Sequence, residues 1–241
     1  MGREFEVKYA ANTEQLEALR FAFPELTPIE METNYYDTPD AKLGEKHWTL
    51  RRRYENGVSI CTVKTPGTRG GRGEWEVHCD NIEDAIPELC KLGAPEDLLT
   101  LTADGVTAIC GAKFTRLAGK IDFVYCTAEL ALDEGILMGG GREIPLMEVE
   151  VELKSGSEAA LIIFAETLAD KYMLLPEPNS KYSRALALAK GVLKWVNSHP
   201  FSPKMTDWCC STPKPPDCST TGTRSSNSPR WLLSVWTANR R

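Results

Sequence analysis

Apolar and polar residues alternate along the first segment of the chain, and related patterns return in seven later segments. In "EFEVKYA", Phe5 and Val7 separate Glu4, Glu6 and Lys8. Successive side chains of a β-strand point to opposite faces, so this pattern predicts a strand with one apolar and one charged face. Alternation, or enrichment in β-branched and aromatic residues, predicts further strands at "METNYYDT", "WTLRRRYE", "VSICTVKT", "GEWEVHCD", "AKFTRLAG", "TAELALDEG" and "MEVEVELK".

Apolar residues at helical spacing mark four other segments. The predicted helices are "NTEQLEALRFAF", "NIEDAIPELCKLG", "SEAALIIFAETLADKYML" and "NSKYSRALALAKGVLKWV". Asn12 or Thr13 stands where the first helix needs an N-cap acceptor, and Asn81 stands there for the second. The dipeptide Asn56-Gly57 predicts a type I′ hairpin turn, because both residues tolerate the positive φ angles that this turn requires.

Eight predicted strands at hairpin-like spacing, with a few helices between them, indicate the α+β fold class. The expected architecture is an antiparallel β-barrel with the helices packed outside it. A strongly curved sheet is the alternative that strand spacing alone leaves open.

The end of the chain has a different composition from the rest. From about residue 198 onward it is rich in Pro, Ser and Thr and shows no sustained period, which predicts a disordered or only locally ordered segment. We therefore expect a folded domain at residues 1–191 and a C-terminal extension at residues 192–241, which begins as the end of a helix.

Charge is distributed unevenly between these two regions. Residues 192–241 contain seven Lys or Arg and two Asp or Glu, a net +5, which leaves −11 for residues 1–191 of a chain whose total is −6. A strongly acidic body argues against general duplex binding, which requires a basic face. A local basic pocket for an anion stays compatible with this balance.

Other classes of protein are disfavoured by simple features. No run of residues reaches membrane-spanning length and no signal-peptide pattern is present, so we expect a cytoplasmic enzyme with no membrane partner. The eight cysteines and three histidines lack the spacing of a zinc site, and no Gly-Lys-Ser/Thr phosphate loop occurs.

The charged faces of the predicted strands separate the two signs of charge. Arg51 and Arg53 share one face of a basic strand, whereas Glu148, Glu150 and Glu152 share one face of an acidic strand. Three glutamates at period two repel one another unless cations lie between them. Solvated outer faces are one interpretation, and a barrel with a charged interior is the other.

Opposed acidic and basic walls fit the binding of a metal and a polyphosphate. Carboxylate oxygens are the ligands that Mg²⁺ and Mn²⁺ prefer, and Arg and Lys bind phosphate oxygens, Arg through a two-point fork. The sequence motifs "EFEVK", "NYYDTPD", "LRRR", "VK" of the lysine strand, "RGEWE", "FTR", "ELALDEG", "EVEVELK" and "SKYSRAL" occur in an order that resembles the CYTH superfamily, the triphosphate tunnel metalloenzymes. The resemblance covers residues 1 to about 191 and is nearest to bacterial inorganic triphosphatases.

The resemblance implies a closed antiparallel eight-stranded β-barrel that forms a tunnel, with helices packed outside, and a role for each matching residue. Metal ligands are expected at Glu4, Glu6, Asp133, Glu148 and Glu150, with Glu152 as a weaker candidate. Phosphate oxygens are expected to bind Lys8, Arg51, Arg53, Lys64, Arg72, Arg116 and Lys181, the last of which would plug or gate one end of the tunnel. Glu74 and Glu76 would orient the basic side chains, and we count them as catalytic together with Lys8, Arg51, Arg53 and Lys64. Arg52 has the wrong parity and is expected to point outward.

The implied activity is hydrolysis of a triphosphate with Mg²⁺ or Mn²⁺ as cofactor, and inorganic triphosphate is the favoured substrate. A class IV adenylyl cyclase would act on ATP in the same tunnel, with the ribose 3′-oxygen attacking in place of water. A non-catalytic polyphosphate-binding module is the other alternative. The expected partner is the small-molecule triphosphate substrate, and no specific nucleic acid is expected. The sequence also allows a homodimer.

Overall fold

The computed structural model describes residues 5–66 and 72–192, without the side chain of Arg72. All of them belong to one compact unit, Met1–Val196. The predictions for Glu4 and for most of the C-terminal extension lie outside the described residues. No helix within the described ranges is long and apolar enough to cross a membrane.

All strands of the described chain join one antiparallel sheet. The strands are β1 Glu6–Ala10, β2 Thr27–Asp37, β3 Thr49–Glu55, β4 Val58–Pro66, β5 Arg72–His78, β6 Thr107–Phe123, β7 Cys126–Gly139, β8 Arg142–Gly156 and β9 Leu175–Pro176. The helices are α1 Thr13–Ala22, α2 Lys42–Glu45, α3 Ile82–Lys91, α4 Asp97–Leu101, α5 Glu158–Tyr172 and α6 Lys181–Ala189. The strands follow one another across the sheet in the order β5-β4-β3-β2-β6-β7-β8-β1-β9.

The α+β class and the antiparallel pairing are confirmed, but the closed eight-stranded barrel is wrong. The described residues form nine strands, and no ladder joins the edge strand β5 to the opposite edge at β1 and β9. The additional strand, β9, is two residues long and pairs with Tyr9 and Ala10. Alternation identifies the two faces of a strand, whereas closure depends on strand tilt and stagger, which alternation does not encode.

Each of the eight predicted strand segments is a strand, and the four predicted helical segments contain α1, α3, α5 and α6. The cap predictions are also confirmed. Asn12 Oδ1 accepts a hydrogen bond from Gln15 N, and the Gln15 side chain accepts one from Asn12 N, which closes a capping box. Asn81 Oδ1 accepts hydrogen bonds from the backbone N–H groups of Glu83 and Asp84 at the start of α3.

Two helix pairs cover the apolar outer face of the sheet. Helices α1 and α5 pack on the part formed by β1, β7 and β8, where the buried residues include Leu16, Leu130, Val149, Val151 and Phe164. Helix α3 and the short α4 pack on β3, β4 and β5, where the buried residues include Leu50, Cys61, Val63, Leu89 and Leu98. Because these apolar side chains are buried under the helices, the charged side chains of the same strands lie on the opposite face of the sheet.

Helix α6 lies on the opposite face and departs from the expectation that the helices pack outside. Its Ala185 and Leu188 are buried against Phe114, Leu137 and Leu146. By strand parity these three residues belong to the face that carries Arg116, Asp133 and Glu148. The helix therefore covers one end of the charged face and brings its own polar residues to it.

Candidate active site

Strand register brings the described candidate residues to one face of the sheet, because opposed residues of antiparallel neighbours point to the same side. The opposed pairs on this charged face are Lys8 with Glu150, Glu148 with Asp133, Asp133 with Arg116, Arg51 with Thr62, Thr62 with Glu76, and Lys64 with Glu74. Strand β2 joins the two groups, since Tyr35 lies opposite Arg51 and Met31 opposite Phe114. The charged face has an acidic half on β1, β7 and β8 and a basic half on β3 and β4.

Three carboxylates form the centre of the acidic half. Asp133, Glu148 and Glu150, the carboxylate triad, each offer an oxygen within 4.8 Å of the others. The side chains of Asp133 and Glu148 are 0% exposed and that of Glu150 is 12% exposed. Burial of three like charges in one place is costly unless cations or a metal compensate them.

Arg116 supplies one compensating cation from the neighbouring strand. Its Nε donates to Asp133 Oδ1 and its Nη2 to Asp133 Oδ2, both at 2.7 Å. Nη2 also donates to Glu150 Oε2 at 2.5 Å. Asp133 and Glu150 raise the pKa of Arg116 against the opposing effect of burial, so its charge is fixed.

Lys181 and Arg184 supply two further cations from the first turn of α6. Lys181 Nζ lies 2.7 Å from Asp133 Oδ2, 2.6 Å from Glu148 Oε1 and 2.7 Å from Glu150 Oε1. Arg184 Nη2 donates to Glu148, and its Nη1 lies 3.5 Å from Glu177 Oε2. Arg184 is not among the residues predicted from the sequence, although its spacing of three residues from Lys181 places both on one helix face.

The two neighbouring glutamates of β8 have opposite pKa shifts. Burial, together with the adjacent Glu150, raises the pKa of Glu148 to about 7. Burial also acts on Glu150, but Lys181 and Arg116 outweigh it and lower the pKa of that carboxyl. At neutral pH, Glu150 is therefore ionised, whereas the carboxyl of Glu148 is partly protonated.

The basic half has weaker internal pairing. Lys64 Nζ lies 2.8 Å from Glu74 Oε1, while Arg51 Nη2 lies 3.8 Å from both Glu74 and Glu76. The Nε atoms of Arg51 and Arg53 are buried and have no hydrogen-bond partner within the described ranges, and Arg53 Nε makes a longer ion-pair contact of 3.5 Å with Glu55 Oε1. Buried guanidinium donors without a partner are costly in a finished protein and are suited to binding an anionic ligand.

Some predicted residues lie apart from these two centres. Glu6 is outside the carboxylate triad: its side chain is 42% exposed, and its Oε1 lies 3.2 Å from Lys8 Nζ. Glu152 instead faces Lys154, whose Nζ lies 2.9 Å from Glu152 and 3.4 Å from Glu129. The expectation for Arg52 is confirmed, because it leaves the charged face and its Nη1 donates to the backbone oxygen of Asp80 at 2.9 Å.

The chemistry of the carboxylate triad fits a hard divalent cation. All three ligand atoms are oxygens, they converge from two adjacent strands, and two of the residues are fully buried. Mg²⁺ and Mn²⁺ both accept such ligands, and the donor set does not separate them.

Comparisons with known proteins show which proteins this chain is similar to. The profile of the CYTH domain family matches residues 2–186. An inorganic triphosphatase of Haemophilus influenzae is 29% identical over 182 residues, which cover 74% of this chain and 52% of the relative. The chain thus spans about half the length of that curated relative.

Solved structures show the same fold at low sequence identity. A candidate adenylyl cyclase from Hippeastrum with a dominant triphosphatase activity has a TM-score of 0.55 at 16% identity, over 80% of this chain and 98% of that one. A protein of Pyrococcus horikoshii OT3 has a TM-score of 0.51 at 23% identity, over 78% of this chain and 99% of that one.

Proposed function

Because the chain belongs to the CYTH domain family, we propose that it is a divalent-cation-dependent hydrolase of triphosphates, with inorganic triphosphate as its substrate. The observation that carries the proposal is the division of one sheet face into a carboxylate triad and a basic half, where the buried Nε atoms of Arg51 and Arg53 have no hydrogen-bond partner among the described residues. Triphosphatase activity of the Haemophilus influenzae relative supports the same reaction class.

The basic half is proposed to bind the phosphate chain. Arg51 and Arg53 would each present a fork to non-bridging oxygens, and Lys64 would add a point charge from the next strand. Glu74 and Glu76 would hold these cations in position, as the short Lys64–Glu74 contact and the hydrogen bond from Thr62 Oγ1 to Glu76 indicate. Positioned charges of this kind hold the phosphates in line and stabilise the transition state.

The carboxylate triad is proposed to hold Mg²⁺ or Mn²⁺, which when bound supplies a Lewis acid for the charge that develops on phosphate oxygens. Lys8, Arg116 and Lys181 are proposed to bind phosphate oxygens from the acidic half. Glu6 stays in the proposal as an outer carboxylate that orients the cation or the attacking water. The assignments of Glu4 as a ligand and of Arg72 as a phosphate-binding residue stay predictions.

A screen of phosphate release separates this proposal from its alternatives. The full chain is incubated with inorganic triphosphate, ATP, thiamine triphosphate and longer polyphosphates, each with Mg²⁺ and with Mn²⁺. We expect the fastest release from inorganic triphosphate. Formation of cyclic AMP from ATP would instead identify a cyclase, and tight triphosphate binding without release under either metal would identify a binding module.

Replacing Arg53 by Lys tests the geometry of the basic half. The variant Arg53→Lys keeps the charge but loses the two-point fork, and we expect kcat/KM for triphosphate to fall by about tenfold or more. Arg52→Lys is the matched control, because Arg52 points to the other face and bonds to Asp80. We expect kcat/KM of Arg52→Lys for triphosphate to stay within about twofold of the value for the parent chain. Equal losses of kcat/KM in both variants would show that strand parity does not determine which arginine takes part in the site.

Removal of residues 198–241, most of the C-terminal extension, tests the proposed domain division, in which residues 1–191 carry the catalysis. A chain that ends at Asn197 keeps every residue assigned above, from Glu4 to Arg184. We expect unchanged triphosphate hydrolysis and a melting temperature within about 2 °C of the full chain, as for a terminal segment that adds no core. A lower melting temperature or lost activity would show that the extension is part of the folded unit.

A further inference from the structure

The Lys181 ammonium stands where a cation shared by the carboxylate triad would stand. Its Nζ lies 2.7 Å from Asp133 Oδ2, 2.6 Å from Glu148 Oε1 and 2.7 Å from Glu150 Oε1. Glu148 and Glu150 each accept a hydrogen bond from this ammonium group, and Asp133 forms an ion pair with it. The triad is thereby satisfied by a group of this chain alone.

Sterics and charge both prevent Lys181 and a divalent cation from occupying the triad together. A cation bound by the same three oxygens at about 2.1 Å would overlap the ammonium nitrogen. Full ionisation would give the triad three negative charges, and Arg116, Lys181 and Arg184 already provide three positive charges beside it. An added divalent cation would leave a buried excess of positive charge, which a low-dielectric site strongly disfavours.

We infer that Lys181 is an internal competitor of the metal, and that a triphosphate draws it from the triad so that metal and triphosphate bind cooperatively. This inference rests on the proposed function for the identity of the anion, but its first part concerns the metal and this chain alone. The Lys181 ammonium group then donates its hydrogen bonds to phosphate oxygens instead of to the triad. The three carboxylate oxygens are then free for the metal, and the added anion restores the charge balance.

Lys181 is the cation of the three that can move at least cost. Arg116 is tied to Asp133 by two parallel hydrogen bonds, and Arg184 also contacts Glu177, outside the triad. Lys181 instead holds its contacts through a flexible four-carbon stem. Its side chain is 11% exposed, and Ala185 and Leu188 keep α6 packed while that side chain swings.

Calorimetric titration of the substrate-free full chain with Mn²⁺ tests the competition. The variant Lys181→Met keeps the apolar length of the side chain and removes the charge. We expect it to bind Mn²⁺ about tenfold more tightly than the parent chain, within the usual range for coupled sites. Lys154→Met is the matched control, because Lys154 bridges Glu129 and Glu152 on the same sheet face without touching the triad. We expect its Mn²⁺ affinity to stay within about threefold of the parent.

A second titration, in the presence of the unhydrolysed analogue imidotriphosphate, tests the coupling. The analogue should tighten Mn²⁺ binding by about tenfold or more in the parent chain and by much less in Lys181→Met. If Lys181→Met does not give a cooperative melt, Lys181→Gln replaces it in both titrations.

Unchanged or weaker Mn²⁺ affinity in a folded Lys181 variant would overturn the inference. An equal gain in Lys154→Met would also overturn it, because the effect would then be one of general charge. Phosphate release by the parent chain is scored separately. Release together with an unchanged affinity at Lys181 contradicts only the competition, whereas no release together with the expected affinity gain contradicts only the proposed hydrolysis.

Discussion

Glu148→Gln is expected to lower the rate of triphosphate hydrolysis at 1 mM Mg²⁺ by at least about a hundredfold while the fold stays intact. Gln has nearly the shape of Glu, so the packing of the fully buried side chain is preserved. The loss removes one charged oxygen ligand from a proposed site that offers three. Excess metal should restore part of the rate, since the remaining two carboxylates can still bind it weakly.

The effect of the same change on stability without metal has a definite sign. Because burial and Glu150 raise the pKa of Glu148 to about 7, its ionised form destabilises the folded state as pH rises through that value. At pH 8 the neutral Gln removes this unfavourable charge, so the melting temperature of metal-free Glu148→Gln should equal or exceed that of the parent chain.

Glu150→Gln is the matched variant, in which the melting temperature is expected to change in the opposite direction. Lys181 and Arg116 overcome the effect of burial and lower the pKa of Glu150, so its charge stabilises the folded state at pH values above the ordinary range for Glu. Glu150→Gln should therefore lower the melting temperature at pH 8, in contrast to Glu148→Gln. A stabilised Glu150→Gln with a destabilised Glu148→Gln would show that the two roles are reversed, and near-parental turnover in both would contradict the ligand assignment.

Arg116→Met is expected to lower the free energy of unfolding by about 3–5 kcal/mol, because it breaks a buried ion pair and leaves Asp133 with Lys181 as its remaining cation in the described structure. Asp133 is 0% exposed and receives both hydrogen bonds of the Arg116 fork. Urea unfolding of the metal-free chain, followed by circular dichroism, measures the loss. Added Mn²⁺ should recover part of it, since a bound cation would compensate the freed carboxylate.

Arg20→Met is the control for this loss. Arg20 pairs with Glu134, and the two side chains are 37% and 39% exposed, so removal of the pair should cost less than about 1 kcal/mol. A loss at Arg116 no larger than that at Arg20 would show that the triad is not a centre of buried charge.

Strand parity predicted much of the candidate site, because it depends only on local geometry. Once Val149 and Val151 are placed against the core, Glu148 and Glu150 must share the other face. The same logic correctly separated Arg52, which bonds to Asp80, from Arg51 and Arg53. Parity also placed Glu6 on this face, but it could not show that Glu6 lies outside the carboxylate triad, because distance along a face depends on sheet curvature.

Features that depend on long-range packing escaped prediction. Arg184 joins the site only because α6 packs on the charged face through Ala185 and Leu188, and helical periodicity does not say which face of a sheet a helix covers. The short elements α2, α4 and β9 carry too few residues for a period to be recognised. The closed barrel rests on the resemblance to the CYTH superfamily and not on strand parity. It is wrong for the described residues, in which β5 and β9 are the edges of the sheet.

The central claim is that the charged face hydrolyses triphosphate with a divalent cation. The most direct measurement is a time course of phosphate release from inorganic triphosphate by the full chain, with Mg²⁺ and then with a chelator in excess. The account predicts release that is linear in enzyme, stops on chelation, resumes when Mg²⁺ or Mn²⁺ is restored, and is nearly absent in Glu148→Gln. Folded protein that releases no phosphate with either metal, or that releases it equally well in the chelator, would contradict the account.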